Sequence, residues 1–193
     1  MTRIVAGVAG GRALQVPPKG TRPTSERVRE ALFSRLEHLD VVDDAVVLDL
    51  FAGSGALGLE AASRGARAVT LVEGARPAAE VCRRNVAATG LGGRVSVVLD
   101  RVERFVQRVP VEPWDLVLVD PPYDLSEELL GDVLRAVLPG LREGAVVMVE
   151  RSTRTPEPTW PDGLVRFDDR GYGETRVWFA EPAEPASGSP SGR

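Results

Sequence analysis

From Thr21, the segment TRPTSERVREALFSRLEHL carries apolar side chains at Val28, Leu32, Leu36 and Leu39. Spacings of three and four residues put them on one face of a helix and predict an amphipathic helix from Ser25 to Leu39. Thr24 is placed to cap its start, and Glu26 suits the positive end of the helix dipole. Upstream, residues 3–8 and 12–16 are short, partly apolar stretches separated by Gly10-Gly11. Two glycines permit a tight turn, so this region reads as a small hairpin.

From Val46 the pattern changes to short apolar runs alternating with helical stretches, which is how a parallel sheet covered on both faces is written. Strands are expected at Val46–Leu50, Ala68–Val72, Val95–Leu99, Leu116–Val119 and Ala145–Glu150. Helices are expected at Ala56–Arg64, Arg76–Thr89, Val102–Arg108 and Ser126–Leu138. Leu164–Asp168 and Thr175–Phe179 flank the turn-like Gly171-Tyr-Gly-Glu174 and predict a closing antiparallel pair. The expected fold is α/β: a seven-stranded, mainly parallel sheet with helices on both faces, plus an N-terminal hairpin and helix. Residues 1–40 form that extension, 41–181 the main domain, and 182–193 a tail with almost nothing to bury, expected to be disordered.

With 193 residues, 43% hydrophobic and 27% charged, the chain suits one domain with small additions, and a monomer is expected. No run approaches the ~20 apolar residues that span a bilayer, and MTRIVAGVAGGR lacks a signal-peptide pattern, so a cytoplasmic protein is expected. Cys82 is the only cysteine and His38 the only histidine, which argues against an internal disulfide, a metal cluster and a Cys/His nucleophile pair. Both read as non-catalytic helix residues.

A net charge of −4 argues weakly against a nucleic-acid partner, but binding depends on local basic surface. Residues 1–24 carry Arg3, Arg12, Lys19 and Arg22 and no acid; the next helix adds Arg27, Arg29 and Arg35, partly offset by Glu26, Glu30 and Glu37. Phosphate contacts are therefore expected in the N-terminal region.

Asp49-Leu-Phe-Ala-Gly-Ser-Gly-Ala-Leu-Gly58 follows the first parallel strand and opens a helix. Missing side chains there let a nucleotide-like cofactor approach the backbone. Gly53, Gly55 and Gly58 also satisfy the dinucleotide fingerprint, with Glu73 at the next strand end suited to ribose hydroxyls, so NAD and S-adenosylmethionine both remain open. Asp49 favours the second: a carboxylate suits the cationic amino-acid end of S-adenosylmethionine and repels a pyrophosphate. Asp100, ending the third strand, is a candidate acceptor for an adenine amino group. The candidate cofactor set is Asp49, Phe51, Gly53, Gly55, Glu73, Asp100 and Arg101.

Asp120-Pro-Pro-Tyr123 directly follows the fourth strand, over the same sheet edge. Prolines fix their own backbone angle, restrict the preceding residue and donate no amide hydrogen, so the turn is stiff and presents acceptors. An exocyclic amine is a poor nucleophile because its lone pair is delocalised into the ring. Acceptance of its hydrogens by the Asp120 carboxylate and the Pro121 carbonyl turns the lone pair toward an activated methyl carbon. Tyr123 is placed to stack on the extracted base. The candidate catalytic set is Asp120, Pro121, Pro122 and Tyr123; proton loss can follow transfer, so no shifted pKa is required of Asp120.

At these residues the sequence resembles the bacterial 16S ribosomal RNA guanine-N2 methyltransferases of the RsmD type, from about Arg3 to Phe179. The specific parts are Arg3-Ile-Val with Gly10-Gly11-Arg12, Thr21-Arg-Pro-Thr24 with Arg27-Val-Arg-Glu-Ala-Leu-Phe33, Asp49-Leu-Phe-Ala-Gly-Ser-Gly55, Asp120-Pro-Pro-Tyr123 and Tyr172-Gly-Glu-Thr175. The resemblance implies a Rossmann-like class I methyltransferase fold and S-adenosyl-L-methionine as cofactor. It also implies a guanine of 16S rRNA, in an assembled or partly assembled 30S subunit, as substrate. By the same likeness Asp49, Gly53, Gly55 and Glu73 contact the cofactor, Asp120 orients the base and Tyr123 stacks on it. Arg3, Arg12, Arg22, Thr24 and Arg27 form the expected RNA side.

Three other readings compete. An adenine-N6 methyltransferase uses the same tetrapeptide, but a DNA enzyme of that kind would need a separate target-recognition domain. An NAD-dependent oxidoreductase fits the glycines alone, yet no His, Lys or Tyr is placed for hydride chemistry. A non-catalytic RNA-binding module leaves Asp120 and Glu73 unexplained. Cys82 has no preceding proline, which counts against carbon-5 pyrimidine methylation.

Overall fold

A computed structural model describes residues 2–17 and 25–184. Lys19, Arg22, Thr24 and most of the expected tail lie outside the described residues. The elements are β1 (Thr2–Arg3), β2 (Ala13–Leu14), α1 (Glu26–His38), β3 (Val46–Leu50), α2 (Ala56–Ser63), β4 (Ala68–Glu73), α3 (Arg76–Thr89) and β5 (Val95–Leu99). There follow α4 (Val102–Phe105), β6 (Trp114–Val119), α5 (Glu127–Val137), β7 (Leu141–Ser152), β8 (Leu164–Tyr172) and β9 (Thr175–Pro182).

The main sheet has seven strands in the order β5-β4-β3-β6-β7-β9-β8. Strands β3 to β7 pair in parallel, and β9 runs antiparallel between β7 and β8. After β3 the chain adds strands on one side, then crosses to add β6 and β7 on the other. The carboxyl ends of β3 and β6 therefore border the crevice at which open α/β sheets bind ligands.

Alternation along the buried strands decides what each face holds. Val47, Leu116, Leu118, Val146 and Met148 pack with Leu32 and Phe33 of α1, Leu59 of α2 and Cys82 of α3. Leu48, Leu50, Val117, Val119, Val147 and Val149 pack with Leu130, Val133 and Leu134 of α5 on the opposite face. Among the described residues, no helix is long and apolar enough to cross a membrane.

The N-terminal extension departs from expectation. Only two residues pair in each hairpin strand, because residues 5–9 turn away to bond α2 instead. Buried Glu60 accepts from the Val5 amide at 2.8 Å and the Ala6 amide at 3.0 Å, and the Ser63 hydroxyl accepts from Ala9 at 3.0 Å. Positive φ falls at Gly7 and Gly11 rather than at Gly10. Helix α1 is capped by Ser25, whose hydroxyl accepts from the Val28 amide at 3.3 Å, not by Thr24.

Arg29, expected to add to a phosphate-binding surface, is fully buried. Its guanidinium lies 3.6 Å from Glu60 and donates to the Thr2 hydroxyl at 3.1 Å and to the Arg3 carbonyl. Arg35 is likewise committed, to Asp168 at 2.9 Å. A cation spaced like the apolar positions of an amphipathic helix belongs to its buried face, and Glu60 supplies the compensating charge.

The remaining differences lie in lengths. Helix α4 stops at Phe105, three residues before its expected end at Arg108. Strand β7 begins at Leu141 rather than Ala145; the exposed Arg-Glu-Gly at its start conceals a segment that pairs through Leu141 with Trp114, across a register shift in β6. Strands β8 and β9 run on to Tyr172 and Pro182, past Asp168 and Phe179, because they pair with each other along their length.

Candidate functional site

Asp49 is the fourth residue of β3, on the α2 face of the sheet. Its Oδ2 accepts from the Gly58 amide at 2.8 Å, whereas Oδ1 is buried with no hydrogen-bond partner among the described residues. Burial pushes this carboxyl up to about 7; the Gly58 amide pulls the other way, and the Glu73 charge adds to the rise. A buried acceptor without a donor is costly and marks a place where a ligand supplies the missing proton or charge.

The loop after Asp49 is held from three sides. The Gly53 amide donates to Glu73 Oε2 at 2.8 Å, and Glu73 Oε1 accepts from Ala75 at 2.7 Å. The Cys82 thiol lies 3.1 Å from the Gly53 carbonyl, and Asn85 Nδ2 donates to the Ser54 carbonyl at 2.8 Å. Asn85 also exchanges hydrogen bonds with the Gln15 backbone at 2.8 and 2.9 Å, so α3 ties the loop to the N-terminal extension. Burial, with the Asp49 and Glu73 charges, pushes the Cys82 thiol up to about 12, which leaves it a proton donor and not a nucleophile. Phe51 takes a positive φ of 60° that only a constrained loop retains.

The three glycines have different duties. A Cβ on Gly58 would sit 2.3 Å from Leu71 Cδ2 and 3.0 Å from Asp49 Oδ2, so its absence lets α2 close on the sheet and reach the carboxylate. Gly55, with a φ of 79°, would meet Leu71 Cδ1 at 2.9 Å. Only beside Gly53 is the space open, the Phe51 carbonyl at 3.9 Å being the sole neighbour. Two of the predicted glycines thus pack the fold, and one faces a ligand space.

That space is a cavity of about 220 Å³ lined by Asp49, Phe51, Gly53, Glu73, the whole of Asp120-Pro-Pro-Tyr123, and Glu150 at the end of β7. The cofactor loop and the tetrapeptide therefore share one wall-to-wall site. Burial, followed by the charges of Glu150 and Asp49, raises the Asp120 carboxyl well above its ordinary value. The Pro122 carbonyl accepts from the Leu125 amide at 3.0 Å, fixing the turn, and the Tyr123 ring is 69% exposed at the rim. A second cavity of about 880 Å³ adjoins the first through Tyr123, Glu150, Ser152, Thr155 and Thr175, and extends to Arg27 and Tyr172.

Asp100 and Arg101 are not brought into this cavity. Asp100 accepts from the Arg101 amide at 2.9 Å and pairs with Arg108 and, at 3.6 Å, with Arg104, while the Arg101 side chain is exposed. Arg3 pairs with Glu26 at 2.9 Å and Arg12 donates to the Ala88 carbonyl at 3.1 Å; both are exposed. Among the described basic residues of the predicted RNA side, Arg27 borders the second cavity. Sequence reading missed Glu150, Asn85 and Glu60. Glu150 carried a usable signal, since it ends its expected strand as Asp49 and Glu73 nearly end theirs.

A sheet of this order, with a glycine loop after its first parallel strand and a proline-stiffened acid after its fourth, is a Rossmann-like class I methyltransferase. The chain matches the family described as Conserved hypothetical protein 95 over residues 2–181, and it belongs to that family, the RsmD family its motifs resemble. It is 40% identical over 162 residues to the ribosomal RNA small subunit methyltransferase D of Escherichia coli K12, covering 82% of this chain and 79% of that one. The Haemophilus influenzae protein of the same name is 33% identical, with 80% of each chain covered. Among solved structures, a putative methyltransferase (yhhF) from Escherichia coli superposes with a TM-score of 0.81 at 34% identity, over 93% of this chain and 97% of that one. The dinucleotide reading of the glycine loop falls with this membership.

Proposed function

We propose that the protein transfers the methyl group of S-adenosyl-L-methionine to the exocyclic N2 of a guanine in 16S rRNA, acting in the cytoplasm on an assembled or partly assembled small subunit. The observation that carries this reading is the shared cavity, in which the Asp49 oxygen that has no partner among the described residues and the Asp120 turn face one space. The names of the relatives at 33–40% identity support small-subunit rRNA as the substrate class, and the guanine follows from the family resemblance.

The residues fit this cofactor. Among the described residues Asp49 Oδ1 lacks a donor, which a cationic amino group would supply; Gly53 leaves room at the loop; Glu73 lines the same cavity, where it would accept from hydroxyls. When bound, the cofactor contributes a methyl carbon already activated by sulfonium. The protein's part is then geometry. Asp120 and the Pro121 carbonyl accept the two amine hydrogens, turning the N2 lone pair out of conjugation, and the rigid turn holds that alignment before reaction. Tyr123 stacks on the base, offsetting part of the unstacking cost. On taking the methyl group, N2 would become cationic and would have to shed a proton. With its raised proton affinity, ionised Asp120 is a base able to take it, a role beyond the simple acceptor expected from sequence.

Mass spectrometry of rRNA nucleosides from cells with and without the gene tests the reading. Loss of N2-methylguanosine is expected; unchanged N2-methylguanosine with loss of N6-methyladenosine would replace guanine by adenine.

A further inference from the structure

Glu150 ends the run Val146, Met148, Glu150 on the sheet face that carries Asp49 and Asp120. The two residues before it in that run are buried and apolar, and Glu150 itself is only 8% exposed. Val119 of β6 and Val149 of β7 are register partners, so the residues that follow, Asp120 and Glu150, stand side by side. Neighbouring strands lie about 4.8 Å apart, close enough for the Glu150 charge to act on Asp120. Glu150 also lines both cavities, at the seam where the cofactor space opens toward Arg27. The register and the lining thus put a second carboxylate acceptor next to the one that orients the amine.

The Watson–Crick edges of the amino-bearing bases differ at this point. Guanine presents a donor, N1–H, beside its exocyclic amine. Adenine and cytosine present a ring lone pair beside theirs. With the amine on Asp120, that neighbouring ring nitrogen faces the adjacent strand end. We propose that Glu150 accepts the N1–H of the target guanine and is the residue that selects guanine over the other amino-bearing bases. Two side-by-side acceptors meet two side-by-side donors, while an adenine or cytosine in the same pose would aim a lone pair at a carboxylate. The inference rests on the guanine-N2 reading and adds to it the group that reads the base.

The test replaces the methylated guanine by 2-aminopurine, which keeps the amine at C2 but carries a lone pair at N1. Small subunits reconstituted with either base are assayed for kcat/KM in mildly alkaline buffer with the wild type, Glu150→Gln and Glu150→Ala. The wild type is expected to prefer guanine by about 10²-fold or more, the scale on which a site built around a donor rejects an analogue lacking it. Glu150→Gln can turn its amide to donate to N1, so the preference should fall at least tenfold, in part through a gain of 2-aminopurine turnover that misfolding cannot imitate. Glu150→Ala should lose guanine turnover and show little preference. Comparing one pair of bases across three proteins cancels any contact to the guanine O6. If the wild type methylates guanine and both variants keep its preference, the inference is overturned and the guanine reading stands. If the wild type methylates neither subunit, both fall together.

Discussion

The two halves of the sheet edge treat their carboxylates differently. On the β4–β5 side, Glu73 accepts from two backbone amides and Asp100 is bound by an amide and two arginines. On the β3–β6–β7 side, Asp49 keeps a buried oxygen with no partner among the described residues, and Asp120 stands beside Glu150 with a raised proton affinity. Compensated acids act as scaffold, fixing the loop around a ligand. Under-compensated acids are stability given up in the empty protein, recovered when a cation or a donor arrives. The location of the deficit, more than the number of acids, marks the chemistry.

The sharpest break of this contrast is Asp120→Ala, expected to slow methyl transfer by about 10²-fold or more while leaving cofactor affinity largely intact; single-turnover kinetics with calorimetry separates the two. Normal turnover would remove Asp120 from the mechanism. Next is Asp49→Asn. Loss of a charge-assisted contact should weaken cofactor binding by roughly 10- to 10²-fold. The same change should stabilise the empty protein at alkaline pH. Because the folded pKa of about 7 lies above the unfolded value, the wild type's stability from this group is complete in acid and is lost as pH rises toward and through 7. That loss amounts to as much as ~4 kcal/mol, and thermal melts of both proteins against pH report it.

A smaller effect is expected at the rim. Arg27→Ala should weaken binding to the small subunit a few-fold and flatten the log K against log salt slope by roughly 0.7–0.9; an unchanged slope means no phosphate contact. Smallest is Asp100→Asn on the compensated side. Its arginine partners are exposed, so stability should fall by no more than about 1 kcal/mol and transfer by less than about threefold. A tenfold loss of cofactor affinity there would erase the distinction between the halves.

Much of this was legible in the chain. Short apolar runs between helical stretches located every parallel strand, and the Asp49 loop and the Asp120 turn announced themselves because glycine and proline impose local geometry wherever they occur. Assignments that rested on charge alone fared differently. Arg29 reads as surface until Glu60, 31 residues on, is seen to meet it inside the fold. Asp100 and Asp49 look alike as acids at or near strand ends, and only three-dimensional neighbours show that arginines occupy the first and nothing described occupies one oxygen of the second. Glu150 needed β7 to lie against β6 in a known register, which is a property of topology and not of any short motif.

The central claim, that Asp49 at the end of β3 waits under-compensated for a cationic donor, is tested most directly by calorimetric titration of S-adenosylmethionine near pH 7 in buffers of differing ionisation enthalpy. Binding should lower the Asp49 pKa and release protons, about half a proton from that group alone, so the apparent enthalpy should vary with the buffer. An enthalpy independent of buffer, or net proton uptake, would contradict the account.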